Sequence, residues 1–166
     1  MDNYETIAIT RCNYADVWDV YASNPDYFLA HKGRVAKFAD ITNTFDRLID
    51  GYDPAKQYFV GLRATGDCPP HLGTVPGKFV ATLELLPDFP KKGELWLSEI
   101  IIHGKHQRIG LGAAIVKAVI AASSGFERIA LGTDEHLLTF WERLGFNENG
   151  RSGGFVYFEH KTGNKK

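Results

Sequence analysis

The stretch that most limits the architectures open to this chain runs from Glu94 to Ala114, ELWLSEIIIHGKHQRIGLGAA. Leu95 to Ile102 is nearly continuously apolar, as expected of a strand covered on both faces. A turn follows, and Gln107-Arg108-Ile109-Gly110-Leu111-Gly112 opens an Ala-rich helix predicted over Gly110 to Ser124. Its apolar positions Leu111, Ile115, Ala118, Val119 and Ala122 keep helical spacing. A buried strand that feeds a helix through a glycine loop also makes an anion site. The first amides of a helix lack internal partners, and the helix dipole adds partial positive charge at the same end. Glycines at positions 110 and 112 keep side chains away from those amides, and Arg108 and Lys105 lie close in sequence as counter-charges.

Two phosphate-binding patterns are excluded by specific residues. The dinucleotide pattern G-x-G-x-x-G needs a third glycine where the chain has Ile115, and it usually follows the first strand of a domain. The nucleotide P-loop needs Gly-Lys-Ser or Gly-Lys-Thr at the helix start, and neither occurs there. What remains is [QR]-x-x-G-x-[GA] after an apolar strand.

The rest of the chain alternates strand and helix signals. Thr6 to Thr10 reads as a short strand, and Asn13 as a side-chain cap for a helix with Tyr14, Val17, Trp18 and Tyr21 along one stripe. Asn24-Pro25 breaks that helix, and Asp26 to Phe38 reads as aromatic and irregular. A second helix is predicted over about Ile41 to Asp50, with Ile41, Phe45, Leu48 and Ile49 on one face and Gly51 as its stop. Strands are predicted over Gln57 to Arg63, Lys78 to Leu86 and Glu94 to His103, with a loop over Thr65 to Gly77 and a turn over Pro87 to Gly93. Sequential strands joined by a short turn usually pair antiparallel. A strand over Arg128 to Gly132, a short helix over Glu135 to Leu144 and a last strand over Phe155 to His160 complete the pattern. The fold class is α/β of the α+β mixed-sheet kind, with an antiparallel front half leading into the strand-loop-helix unit.

Here the sequence resembles the GNAT superfamily of N-acetyltransferases. Members commonly read apolar-apolar-Val-x-Pro-x-x-[QR]-x-x-Gly-x-[GA], and this chain has Ile100-Ile101-Ile102-His103-Gly104-Lys105-His106-Gln107-Arg108-Ile109-Gly110-Leu111-Gly112. Gly104 stands where proline is common. Members often show a second element, Asn-x-x-Ala-x-x-Phe-Tyr-x-x-x-Gly-Phe. Asp134 to Phe146, DEHLLTFWERLGF, follows its spacing, with Asp134 for Asn, Leu137 for Ala and Trp141 for Tyr. Tyr21 to Gly33 faintly resembles a subgroup with Asn-Pro and an aromatic pair.

The resemblance implies one GNAT-like acyl-CoA N-acyltransferase domain over residues 1–166; the polar tail over 161–166 reads as frayed. The resemblance also implies direct transfer of acetyl from acetyl-CoA, a co-substrate, to a primary amine, with no metal. Ile100, Ile101, Ile102, Gln107, Arg108, Ile109, Gly110, Leu111, Gly112, Ala113, Asp134 and Phe140 would bind the cofactor. Backbone around Ile100 to Ile102 would meet the developing oxyanion. A base must deprotonate the amine, directly or through water. Glu99, just before the apolar triplet, and Glu84, on the preceding strand, are the candidates. A polar residue inside an otherwise apolar strand needs a reason, either this one or a local partner. In the family the proton for the leaving thiolate often comes from the Tyr of the second motif. Trp141 cannot supply it, since an indole N–H is not an acid at ordinary pH. Tyr157 or water is the substitute.

The remaining candidates have plainer readings. His103 and His106 lack a third ligand and read as loop histidines rather than a metal pair. Trp18 and Trp96 read as core or cleft wall. Cys12 and Cys68 share no motif spacing, so they read as free thiols of a reducing cytoplasm. With 19 Lys plus Arg against 20 Asp plus Glu, the chain lacks the basic excess of a nucleic-acid binder or of an enzyme acting on aminoacyl-tRNA. No run approaches the about 20 apolar residues of a membrane span, and the N-terminus has no signal-peptide pattern. The expected protein is cytoplasmic, acts on a small-molecule amine and is open to homodimer formation, which is frequent in the family. The competing function is a non-catalytic acyl-CoA-binding regulatory module, consistent with Trp141.

Overall fold

The computed structural model describes residues 3–46, 49–65 and 77–163. Among them, seven strands are hydrogen-bonded in the order β1-β2-β3-β4-β5-β7-β6. The chain divides into two compact units, Met1–Glu84 with Glu99–Gly112, and Leu85–Ser98 with Ala113–Lys166. Strand β3 (Phe79–Pro87) belongs to the first unit up to Glu84, and strand β4 (Glu94–Ile102) belongs to it from Glu99 onward; their other residues belong to the second.

In the first unit, β1 (Tyr4–Ala8) pairs antiparallel with β2 (Tyr58–Ala64), from Tyr4 opposite Ala64 to Ala8 opposite Val60. Helices α1 (Tyr14–Ala22), α2 (Pro25–Lys32) and α3 (Phe38–Phe45) carry the apolar residues that join this part of the sheet in a core. Val17, Val20, Tyr21, Phe28, Ile41, Phe59, Phe79 and Ile101 are buried together. Each such side chain contributes about 1.5–3 kcal/mol when fully buried.

Three local features depart from the sequence expectation. Asn13 does not cap α1; its side chain accepts from the Thr10 amide and donates to the Ala8 carbonyl, closing the preceding 3₁₀ turn. Within Asp26 to Phe38 only Gly33 to Lys37 is irregular; Asp26 to Lys32 is helical, because Pro25 takes the first position of α2, where a missing N–H costs nothing. Gly33 ends that helix in the left-handed conformation (φ 64°). Helix α3 begins at Phe38, before the expected Ile41, because Asp40 accepts the Lys37 amide at 2.7 Å and so caps its first turn. Leu48, and most of the loop expected over Thr65 to Gly77, lie outside the described residues.

Asp40 is also the anchor of the α2–α3 connection. Its side chain is 1% exposed and meets Arg34 twice, at 2.7 and 2.9 Å, and Lys32 at 2.8 Å. These contacts, led by the Arg34 guanidinium, hold its carboxyl well below the usual carboxylate range despite burial.

In the second unit, β4 runs parallel to β5 (Arg128–Thr133) through the pairs Glu94–Arg128, Leu95–Ile129 and Trp96–Ala130. Strand β7 (Phe155–Lys161) pairs antiparallel with β5 and with β6 (Asn147–Ser152). Helix α4 (Leu111–Ala122) enters this unit at Ala113, and α5 (Leu138–Arg143) follows a 3₁₀ turn at Glu135–Leu137. Ile115, Val116, Ile129, Leu131, Trp141, Phe146, Val156 and Phe158 are all buried. Strand β6 was not foreseen: its six residues, NENGRS, are all exposed, so no alternation marks it. Among the described residues no helix is long and apolar enough to cross a membrane.

Candidate active site

The first unit brings the last residues of β4, the loop after it and the end of α1 together. Glu99 is half-buried and accepts a hydrogen bond from the Tyr21 hydroxyl at 2.5 Å. Burial, and after it the Glu99 charge, push the Tyr21 phenol well above its usual range. The phenol therefore keeps its proton and remains a donor to the carboxylate. Ile101 is buried, while Ile100 and Ile102 are half-buried, so the strand keeps the expected apolar character as it leaves the core.

Glu84 on β3 lies in the same unit. It is 1% exposed and accepts from Gln57 Nε2 at 2.5 Å; that nitrogen also donates to the Thr44 carbonyl at 3.1 Å. The two carboxylates singled out in the sequence thus have different direct partners, Gln57 for Glu84 and Tyr21 for Glu99. Their accessibility separates them: Glu84 is sealed and held by an amide, whereas Glu99 keeps a solvent-facing part.

The loop after β4 is tied to the end of α1. His103 donates its amide to the Val80 carbonyl at 2.9 Å, and a 3₁₀ turn occupies Gly104–His106. Gly104 donates its amide to Ser23 Oγ at 2.9 Å, and a Cβ at this position would lie 2.8 Å from the Ser23 carbonyl oxygen. Glycine thus replaces the common proline for a physical reason: the site needs an N–H and has no room for a ring. Gln107 donates to Asn24 Oδ1 at 2.6 Å and to the Ile102 carbonyl at 3.1 Å. Its amide nitrogen is therefore spent on closing the loop.

Arg108 (φ 61°) and Gly110 (φ 85°) both take the left-handed conformation, and Arg108, Ile109 and Gly110 are exposed. A Cβ built at Gly110 meets nothing within 4 Å, so open space lies in front of the loop where α4 begins at Leu111. Free amides at a helix start beside such space suit a phosphate. Leu111 itself is buried, and Gly112 is half-buried. Burial and the neighbouring Lys105 charge hold the His103 imidazole below its usual range.

The other sequence candidates lie in the second unit. Ala113 is half-buried in the first turn of α4. Asp134 is half-buried at the start of the 3₁₀ turn, makes no side-chain cap there, and sits 3.9 Å from His136 Nδ1. Phe140 is half-buried and packs edge-on to Trp141. Trp141 is a core residue, 3% exposed, and its indole N–H donates to Thr133 Oγ1 at 3.0 Å. Tyr157 is half-buried on β7 beside the Trp96 ring.

In the sequence, Tyr21, Ser23 and Asn24 stand out only as part of the segment that faintly resembles a family subgroup, with no individual role, and Gln57 has no functional reading. Tyr21 looked like part of a core stripe, and Asn24 like a helix breaker.

The chain matches the Acetyltransferase (GNAT) family over residues 17–146. No curated protein matches it. Its fold is similar to that of an acetyltransferase from Thermus thermophilus, at 18% identity and TM-score 0.77, covering 96% of this chain and 97% of that one. It is also similar to the spermidine N-acetyltransferase of Vibrio cholerae in complex with CoA and spermine, at 12% identity, TM-score 0.68 and 98% and 97% coverage. A third similar structure is the PaiA N-acetyltransferase of Thermoplasma acidophilum in complex with coenzyme A, at 11% identity, TM-score 0.61 and 95% and 98% coverage.

Proposed function

Because the chain belongs to the GNAT acetyltransferase family, we propose that it transfers the acetyl group of acetyl-CoA to the primary amine of a small acceptor, with Glu99 as the base. The observation that carries this reading is the half-buried Glu99, held by Tyr21, on the strand that runs into the Gln107–Gly112 loop. Residues 1–166 are read as one acetyltransferase domain, since the family match draws on both units.

The amides from Arg108 to Gly112, at the start of α4, hold the pyrophosphate. The bound thioester supplies an activated acyl carbon. Glu99 takes a proton from the incoming ammonium, directly or through water, so that the nitrogen can attack the acyl carbon; the C–N bond forms, the C–S bond breaks, and coenzyme A leaves as a thiolate that takes its proton from water. Ile100 to Ile102 lie beyond the three residue pairs of the β4–β5 ladder. Their backbone amides are the donors offered to the acyl oxygen. Glu84 is a structural carboxylate in this scheme, because it is sealed from the site. That a similar fold is found in complex with CoA and spermine supports an amine acceptor of small size.

One observation favours the second reading, a non-catalytic acyl-CoA-binding module: the indole N–H of Trp141 is engaged with Thr133 and is no proton donor. Turnover separates the two. Release of free thiol from acetyl-CoA across a panel of small amines, lost by about 10²- to 10⁴-fold in Glu99→Gln, is expected for the enzyme. Cofactor binding with no thiol release for any amine would favour the module.

A further inference from the structure

We propose that Asn24 is a positioning residue for the phosphate loop, holding it in its binding shape through Gln107. This rests on reading the Gln107–Gly112 loop as the coenzyme A site. Asn24 is 8% exposed at the junction of α1 and α2. Its Nδ2 donates to the Val20 carbonyl at 2.8 Å, to Ser23 Oγ at 3.0 Å and to the Ile102 carbonyl at 3.1 Å. Its Oδ1 accepts Gln107 Nε2 at 2.6 Å. One amide thus grips both the strand residue before the loop and the residue at which the loop turns toward α4.

The neighbouring contacts have the same direction. Ser23 holds Gly104 in the middle of the loop, and Tyr21 holds Glu99 on the strand. Tyr21 in the last turn of α1, Ser23 at its C-cap and Asn24 at the N-cap of α2 therefore hold the candidate base, the loop and the strand. Arg108, directly after Gln107, is left-handed and non-glycine, a conformation that the surroundings must enforce. With Gln107 released from Asn24, nothing described on the Gln107 side chain except the Ile102 carbonyl would keep Arg108 in that state. The amides that follow would then sample shapes that do not fit a phosphate. In this arrangement Asn24 touches no ligand, yet it sets the cofactor affinity.

The test is a double-mutant cycle read by calorimetric titration with coenzyme A on wild type, Asn24→Ala, Gln107→Ala and the double variant. Each single variant is expected to weaken binding about 10-fold, and the double variant no more than either alone, as for residues acting through one contact. In steady state, the KM for acetyl-CoA should rise with it, while the KM for the acceptor stays within about twofold. Amide hydrogen exchange without ligand should quicken in Gly104–Gly110 of Asn24→Ala and stay unchanged in β1 and β2. Additive losses in the cycle, or unchanged loop exchange, would overturn the proposal. Wild type that fails to bind coenzyme A would sink the cofactor reading instead. The exchange measurement, which needs no ligand, still decides whether Asn24 orders the loop.

Discussion

Replacing Tyr21 with Phe removes one oxygen from the candidate site and leaves the buried ring in place. That oxygen donates to Glu99 at 2.5 Å. A donor to a carboxylate stabilises the ionised form and so lowers its pKa. Tyr21 is able to do this at any working pH, because burial and the Glu99 charge raise its own pKa and keep the phenol protonated. A hydrogen bond to a charged group contributes about 1.5–3 kcal/mol, and 1.36 kcal/mol corresponds to one pKa unit. Glu99 is only half-buried, so solvent replaces part of the lost contact, and a rise of about one unit is the expected size. The acid limb of kcat/KM should therefore move to higher pH by about one unit in Tyr21→Phe. The plateau above it should fall little, since the base remains. The assay is thiol release followed from about pH 5 to pH 9, with Glu99→Gln as the control that abolishes the limb. A limb that stays put, or moves to lower pH, would refute the coupling of Tyr21 to the base.

Asp40→Asn should destabilise the protein by about 2–3 kcal/mol, less than for a fully buried pair because Lys32 and Arg34 are partly exposed. The Asp40 carboxyl is depressed in the folded state, so its contribution is full above the ordinary carboxylate range and is lost as pH falls through the folded value. Denaturant titrations should show the gap between wild type and variant closing in acid; a gap constant with pH would contradict this. Trp141→Phe should lose about 1 kcal/mol for the Thr133 hydrogen bond and keep kcat within roughly threefold, a 100-fold loss being the result that would place Trp141 in the chemistry. Gly110→Glu should abolish coenzyme A binding in calorimetry, because φ of 85° is strained for glutamate and its carboxylate enters the space offered to the phosphate; retained binding would move the phosphate elsewhere.

The β4-loop-α4 unit was legible because two local signals coincide there, a continuous apolar run and glycines at a helix start. Helix α2 was not, because Phe28 is its one buried residue and a single anchor leaves no period to read. Pro25 added to the error, since the same residue that ends one helix opens the next. Strand β6 presents only exposed residues and owes its form to pairing with β7. At the candidate site, Glu99 and the loop are singled out by the chain itself, and the structure places both in the first unit. Their supports are not singled out: Tyr21 lies 78 residues from Glu99, and Asn24 lies 83 from Gln107. Contacts so distant in sequence leave no spacing rule behind. A buried tyrosine in an apolar stripe reads as core, and Tyr21 is indeed core, with only its hydroxyl doing something further.

The close approach of Gly104 to Ser23 has a consequence for what position 104 can hold. A proline at position 104 would drive its ring into the Ser23 carbonyl and strip the amide that Ser23 Oγ accepts. The two positions are therefore sterically coupled in this chain: a proline at 104 would require the end of α1 to lie farther from the loop. Gly104→Pro should fold poorly unless the end of α1 is redesigned along with it.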